Sequence, residues 1–164
     1  MAHIHVHTKD RRVAAQALYS GAIRSACPGE LLRAGDMECI DGVVSDYAIE
    51  LIDGIEEKRA EIDKLIDEAS TNWSIERMPI MDLAVLRIAL YEMLYVDSVP
   101  VSVAIDEAVE LAKYFGGDED SPKFINGLLG HIARDRNLVE VDTMNASAGD
   151  QEVKSIQEPA DEVA

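Results

Sequence analysis

The sequence predicts an all-α protein packed around one central apolar helix, and three observations carry that prediction. The first is the stretch 79–96, PIMDLAVLRIALYEMLYV, whose only charges are Asp82, Arg87 and Glu92. At ~100° per helical residue these three fall on three different sides, so no broad polar face is left for water. Three charges spread along about 27 Å, eighteen residues at ~1.5 Å each, argue for a protein core and against hydrocarbon. The second is that apolar residues elsewhere recur at steps of three, four and seven. The third is composition: only 5% of residues are aromatic, and Ala, Leu, Ile and Met carry the burial, a mixture that favours helices.

A chain of 164 residues makes one domain or two small subdomains sharing a core. Its net charge of −17 opposes non-specific binding to DNA or to an anionic membrane. Any nucleic-acid contact has to come from a local basic patch working against the global field. Cys27 and Cys39 match no metal-ligand spacing, and two thiols do not build a disulfide framework, so reduced thiols in a cytoplasmic protein are expected. The N-terminus has histidines where a signal peptide would need an apolar run.

The elements follow in order. His3, His5 and His7 alternate with apolar residues, but without further ligands at a suitable spacing they read as part of a frayed terminus rather than a metal site. From Lys9 to about Ser25, Val13, Ala14, Ala17, Leu18 and Gly21 share one helical side. Lys9, Arg12 and Gln16 line an exposed strip, with Arg11 beside it and Tyr19 at its lower edge. Cations at a helix start oppose the positive end of the macrodipole, so this strip is a poor choice for stability alone. A solvated basic start is the commoner reason for such a run, and nucleic-acid binding the sharper one.

After Cys27-Pro28-Gly29, residues 31–42 read as a short helix or loop. Ala48, Leu51, Ile52, Ile55, Ile62, Leu65, Ile66 and Ala69 then define a helix over 45–69, which Gly54 could bend, with a mixed-charge outer face. Trp73 reads as a packing anchor where two halves meet. Beyond Val99-Pro100, Ser102 is a candidate N-cap, with Val101, Ile105, Ala108, Ala112 and Phe115 as the buried stripe. Asp106, Glu107, Glu110 and Lys113 are expected to face outward, and Gly116-Gly117 to end the helix. Ser121 with Pro122 reads as the cap and first position of a last helix, whose stripe is Phe124, Ile125, Leu128, Leu129 and Ile132. Residues 139–164 hold acids, few large apolar residues and no helical period, and read as a disordered acidic tail.

Motifs for catalysis or a cofactor do not appear: there is no G-x-S-x-G, H-E-x-x-H, C-x-x-C or Gly-rich dinucleotide loop. Nor does any His follow a Glu by three, as a di-iron carboxylate bundle requires. His131, beside the last apolar stripe, is read as a partly buried structural residue. No enzyme, cofactor or metal is expected.

Several stretches, in this order and spacing, resemble the NusB family of bacterial transcription antitermination factors: RRVAAQALYS, WSIERM, DLAVLRIALYEM, VPVSVAIDEAVELAKYFG and SPKFINGLL. The resemblance implies two packed three-helix-type subdomains around the central helix, here 9–72 and 73–138 of a single domain 9–138, with 1–8 a flexible N-terminus. It implies binding to the boxA segment of nascent RNA, together with the small ribosomal protein NusE, in an RNA polymerase antitermination complex, with no membrane or DNA partner. Carried over by position, RNA contacts fall on Lys9, Arg11, Arg12 and Gln16, and on Phe115, Asp120, Ser121, Lys123 and Phe124. Tyr19 and Asp82 belong to the NusE-facing surface. Phe124 also fits the core stripe, so it is weighed between packing and base stacking.

This chain departs from the family pattern in having Thr8 and Asp10 where basic residues are common, and acids at Asp118, Glu119 and Asp120. With roughly three phosphate contacts the single-strand salt slope is only about −2, so RNA affinity without the ribosomal partner is expected to be modest. The alternative from a different class is an interaction scaffold of the same fold that keeps the NusE surface and has lost useful RNA binding.

Overall fold

The computed structural model describes residues 6–35, 37 and 44–138. The expected acidic tail at 139–164 lies outside them, as do Cys39, His3 and His5. Among the described residues there are six α-helices and one short 3₁₀ turn, and no strand: α1 Thr8–Arg24, α2 Pro28–Ala34, α3 Asp46–Ala69, the turn Ile75–Arg77, α4 Ile80–Tyr95, α5 Val101–Phe115 and α6 Ser121–Asp135.

Local chemistry sets most of the boundaries. Ser25 leaves α1 in the left-handed region at φ 50°, and its N–H donates to the Gly21 carbonyl. Pro28 opens α2, where a missing N–H costs nothing, and Gly35 closes it at φ 68°. Ser45 caps α3 through its hydroxyl, which accepts from the Ala48 N–H. Two caps differ from expectation. Helix α5 begins one residue before Ser102, with Pro100 as its cap, and α6 begins at Ser121 itself, with Asp120 at the cap position. The Ser121 hydroxyl is drawn to another helix instead.

The buried apolar residues form two clusters, and α3 and α4 run through both. One gathers Val13, Ala14, Leu18, Leu32, Leu51, Ile52 and Ile55 against Ala84 and Ile88 of α4. The other packs Ile62 and Ile66 with Val85, Leu86 and Leu90 of α4, and with α5 and α6 through Ala108, Leu111, Ile125 and Leu129. This is why α4 is apolar nearly all round: both clusters close on it, and side chains such as Leu86 and Leu90 are fully buried, each worth about 1.5–3 kcal/mol.

Its three charges each meet a partner on another element, as buried charges must. Arg87 donates to Asp63 of α3 through Nε and Nη2, at 2.8 and 2.9 Å. Asp82 accepts from Ser121 of α6 at 2.8 Å. Glu92 accepts from Arg11 of α1 at 2.9 and 3.0 Å.

Four expectations change on contact with the packing. Gly54 lies within an unbroken α3, and a Cβ there would sit 2.2 Å from the Tyr91 ring, so the glycine serves close approach of α3 and α4. The buried face of α5 is centred on Ala104, Ala108 and Leu111, which turns Glu107 inward. Trp73 is 39% exposed rather than a buried anchor. His131 is exposed rather than partly buried.

Candidate nucleic-acid interface

Helix α1 brings two neighbouring arginines to opposite fates. Arg11 shares a helical side with Ala14, Ala15 and Leu18, at three, four and seven residues on, and follows them into the interior, where it is 2% exposed. There its guanidinium meets Glu92, whose Oε2 also accepts from the Tyr47 hydroxyl at 2.5 Å. Glu107 stands 3.7 Å from Arg11 Nη1 and accepts from the Thr8 hydroxyl at 3.3 Å. Burial opposes the Arg11 charge, but the hydrogen bond and charge of Glu92, with Glu107 behind, more than offset it and raise its pKa. Burial, then the Glu92 charge, pushes the Tyr47 phenol well above its usual range, so it stays a donor. His7, expected in a flexible terminus, stacks on Tyr47 with ring centroids 3.7 Å apart and pairs with Asp10 at 2.9 Å.

The expected exposure of Arg11 is therefore corrected: two buried carboxylates hold it inside, and it presents no donor fork at the surface. The same correction applies at two other positions. Asp82 is 4% exposed. Burial raises its pKa, the Ser121 hydrogen bond lowers it and the Asp118 charge raises it again, with a net upward shift. Ser121 is buried with its hydroxyl on Asp82, so neither side chain is open to a partner in this packing.

Arg12, one residue round the helix, lies at the surface end of a groove between α1, α5 and α6. Its guanidinium carbon lies 3.8 Å from the centroid of the Tyr114 ring, a cation–π stack. Tyr114 is 41% exposed and edge-on to Phe115, centroids 5.1 Å apart. The groove beside them, ≈ 680 Å³, is lined by Arg12, Lys113, Lys123 and Asn126, with Asp106 and Glu110 on its acidic side. Lys113 pairs with Glu110 at 3.3 Å, an exposed contact worth little. Three cations here face three carboxylates, Asp106, Glu110 and the buried Glu107 that turns to Arg11, so the face is near balance in a chain carrying −17.

Of the other sequence-derived positions, Lys9 and Lys123 are exposed and Gln16 is half-buried on the α1 strip. Asp120 is exposed in the acidic turn, where its N–H donates to Asp118. Phe115 is half-buried and packs against both apolar clusters. Phe124 is half-buried at the edge of the second cluster, perpendicular to Trp73. Tyr19 is 41% exposed on α1. The sequence reading set Lys113 on an outward face and gave Asn126 to packing rather than RNA, and it passed over Tyr114, whose position against Arg12 is set only by packing.

An all-helical domain with Arg12, Lys113 and Lys123 along a surface groove, beside an exposed aromatic, has the form of a nucleic-acid-binding adaptor. The NusB family model matches residues 8–134. The transcription antitermination protein NusB of Pseudarthrobacter chlorophenolicus is 44% identical over 124 residues, spanning 76% of this chain and 90% of that protein. Its counterpart in Acidothermus cellulolyticus is 38% identical over 132 residues, 80% and 90% of the two. Among solved structures, T. maritima NusB superposes with a TM-score of 0.70 at 33% identity, covering 82% of this chain and 96% of that one. NusB in a complex of the antitermination factors NusB and NusE with dsRNA gives 0.65 at 27% identity, covering 79% and 96%. The chain belongs to the NusB family.

Proposed function

We propose that this chain is a cytoplasmic, non-catalytic transcription antitermination factor that binds boxA RNA together with the ribosomal protein NusE, within an RNA polymerase antitermination complex. The single observation that carries the reading is the groove of Arg12, Lys113 and Lys123 beside the exposed Tyr114 ring. Cations that track phosphates, next to a ring on which bases stack, are what single-stranded RNA requires. The family relatives named for antitermination, and the solved NusB–NusE–RNA assembly, support the partner assignment. No helix among the described residues is long and apolar enough to cross a membrane.

On this reading Lys9, Arg12, Gln16 and Lys123 meet phosphates, Asp120 accepts from base amino groups, and Phe115 and Phe124 present partial ring surfaces. Tyr19 belongs to the NusE side. Arg11, Ser121 and Asp82 support these residues from inside rather than touching either partner. The acidic turn weakens attraction for phosphate, so NusE supplies part of the basic surface.

The test is a titration of fluorescently labelled boxA RNA with the protein alone and with NusE present, at ~150 mM salt, where the screening length is about 8 Å. Weak binding alone and tight, boxA-selective binding with NusE is the expected result. Equal affinity for a scrambled RNA, or no binding in either mixture, would overturn the reading.

A further inference from the structure

A second groove, ≈ 620 Å³, runs along α6, between that helix and the chain that links α3 to the 3₁₀ turn. Ala69, Trp73, Phe124 and Leu128 make it mainly apolar, and Trp73 is 39% exposed there. The Trp73 and Phe124 rings stand edge-to-face with centroids 5.4 Å apart. An indole left this open beside other apolar walls marks a surface on which something docks. Charge narrows the choice of occupant. Lys123 and His131 line the groove, and none of the described residues that line it is acidic, in a chain carrying −17. Arg134, exposed and three residues beyond His131, extends the cationic side. The groove therefore suits an apolar segment that also carries carboxylates.

The way α6 ends points to such a segment within this chain. Asn137 takes φ 57°, a left-handed conformation that asparagine tolerates better than most residues. Its N–H donates to the Arg134 carbonyl at 3.2 Å, and the Leu138 N–H donates to the Ala133 carbonyl at 2.8 Å. This pair of bonds is a Schellman closure, which folds the chain back over the last turn of the helix. Leu138 then packs against the apolar cluster to which Ala69, Phe124 and Leu128 of the groove also belong. The chain leaves α6 already turned back and seated on the groove's own cluster.

The sequence that follows has the pattern the groove asks for. Val139-Glu140-Val141-Asp142 alternates apolar and acidic residues, so in an extended chain both valines share one side and both carboxylates the other. The reach fits as well. Phe124 and Leu138 are fourteen positions apart, about 21 Å at ~1.5 Å per helical residue, and the six residues 139–144 span about 20 Å at ~3.3 Å each.

We propose that residues 139–144 return antiparallel to α6 and occupy this groove as a strap. Val139 and Val141 lie against its apolar wall, and Glu140 and Asp142 face Lys123, His131 and Arg134. The strap covers the open indole and ties the end of α6 to the link that follows α3.

Trp73 is the only tryptophan in the chain, so its emission reports on this groove directly. The experiment measures the emission maximum and acrylamide quenching of the full chain and of two full-length double variants. One carries Val139→Ser with Val141→Ser, the other Glu140→Lys with Asp142→Lys. Both pairs lie beyond the six helices, so melting temperatures followed alongside should stay close to the parent's. In both variants the indole emission should move to the red and quenching should increase. A valine-methyl NOE spectrum of the full chain, assigned with the serine variant, should join Val139 or Val141 to Leu128 or Trp73.

An indole that responds to neither variant would overturn the strap, and so would a response without those cross-peaks. Protection of the indole that appears only when boxA RNA or NusE is added would overturn it in favour of that partner.

Discussion

Arg11 and Arg12 are adjacent, identical in chemistry and on one helix, yet they belong to two different devices. Arg11 closes a buried polar joint in which α1, α3, α4 and α5 meet through Glu92, Tyr47 and Glu107. Arg12 lies against Tyr114 beside an open groove. The difference comes from ~100° of helical rotation, and it teaches that the basic start of α1 is not one patch. One arginine holds the molecule together from inside, and the other lines an open groove. Substitutions that separate stability from binding should fall along that line.

The largest effect is expected at the joint. Arg11→Met leaves Glu92 and Glu107 buried without their cation and should cost about 3–5 kcal/mol, read as a fall in the denaturant midpoint. A loss below ~1 kcal/mol would mean the carboxylates find water or another donor. Next is Gly54→Ala, which forces a methyl group into the Tyr91 ring across the α3–α4 contact. It should cost about 1–3 kcal/mol of stability, and combining it with Tyr91→Ala should recover part of that loss.

Across the line, Arg12→Met should cost less than Arg11→Met, about 1–2 kcal/mol, the scale of a partly desolvated cation–π contact. In the NusE-containing complex it should make the salt slope of RNA binding less negative by about 0.7, one phosphate contact. A melting temperature that drops as far as that of Arg11→Met would erase the distinction between the two arginines.

The smallest effect concerns Asp82. Its folded pKa is raised, chiefly by burial, so the folded state holds the proton more tightly than the unfolded chain. That contribution to stability is fully present below the unfolded value near ~3.9 and is lost as pH rises through the folded one. Asp82→Asn, whose side-chain oxygen still accepts from Ser121, should therefore be neutral or slightly more stable than the parent at pH 7. The advantage should shrink on acidification, which pH-dependent denaturation curves would show.

Much of the architecture was legible from periodicity. The helix-forming stretches, the central place of α4 and the need of Arg87 and Glu92 for partners all follow from where apolar residues and charges fall along the chain. The site was legible only in part. The spacing of Arg11 to Ala14, Ala15 and Leu18 did point inward, as did that of Glu107 to Ala104 and Leu111. A strip defined by charge alone hid it. What no spacing contains is the pairing itself: Glu92 lies 81 residues from Arg11, and Ser121 39 from Asp82. Family position assigned Ser121 and Asp82 to partners, while burial gives each to the other. Tyr114 became informative only when the packing of α1 on α5 set it against Arg12 at the edge of a groove.

The most direct test of the central claim is Arg12→Glu in a boxA titration of the NusE-containing complex, paired with a thermal melt of the same variant. The account predicts a melting temperature above that of Arg11→Met with RNA retention abolished. Parental RNA affinity in a folded Arg12→Glu protein would contradict it, and would favour a scaffold that keeps the fold without reading RNA.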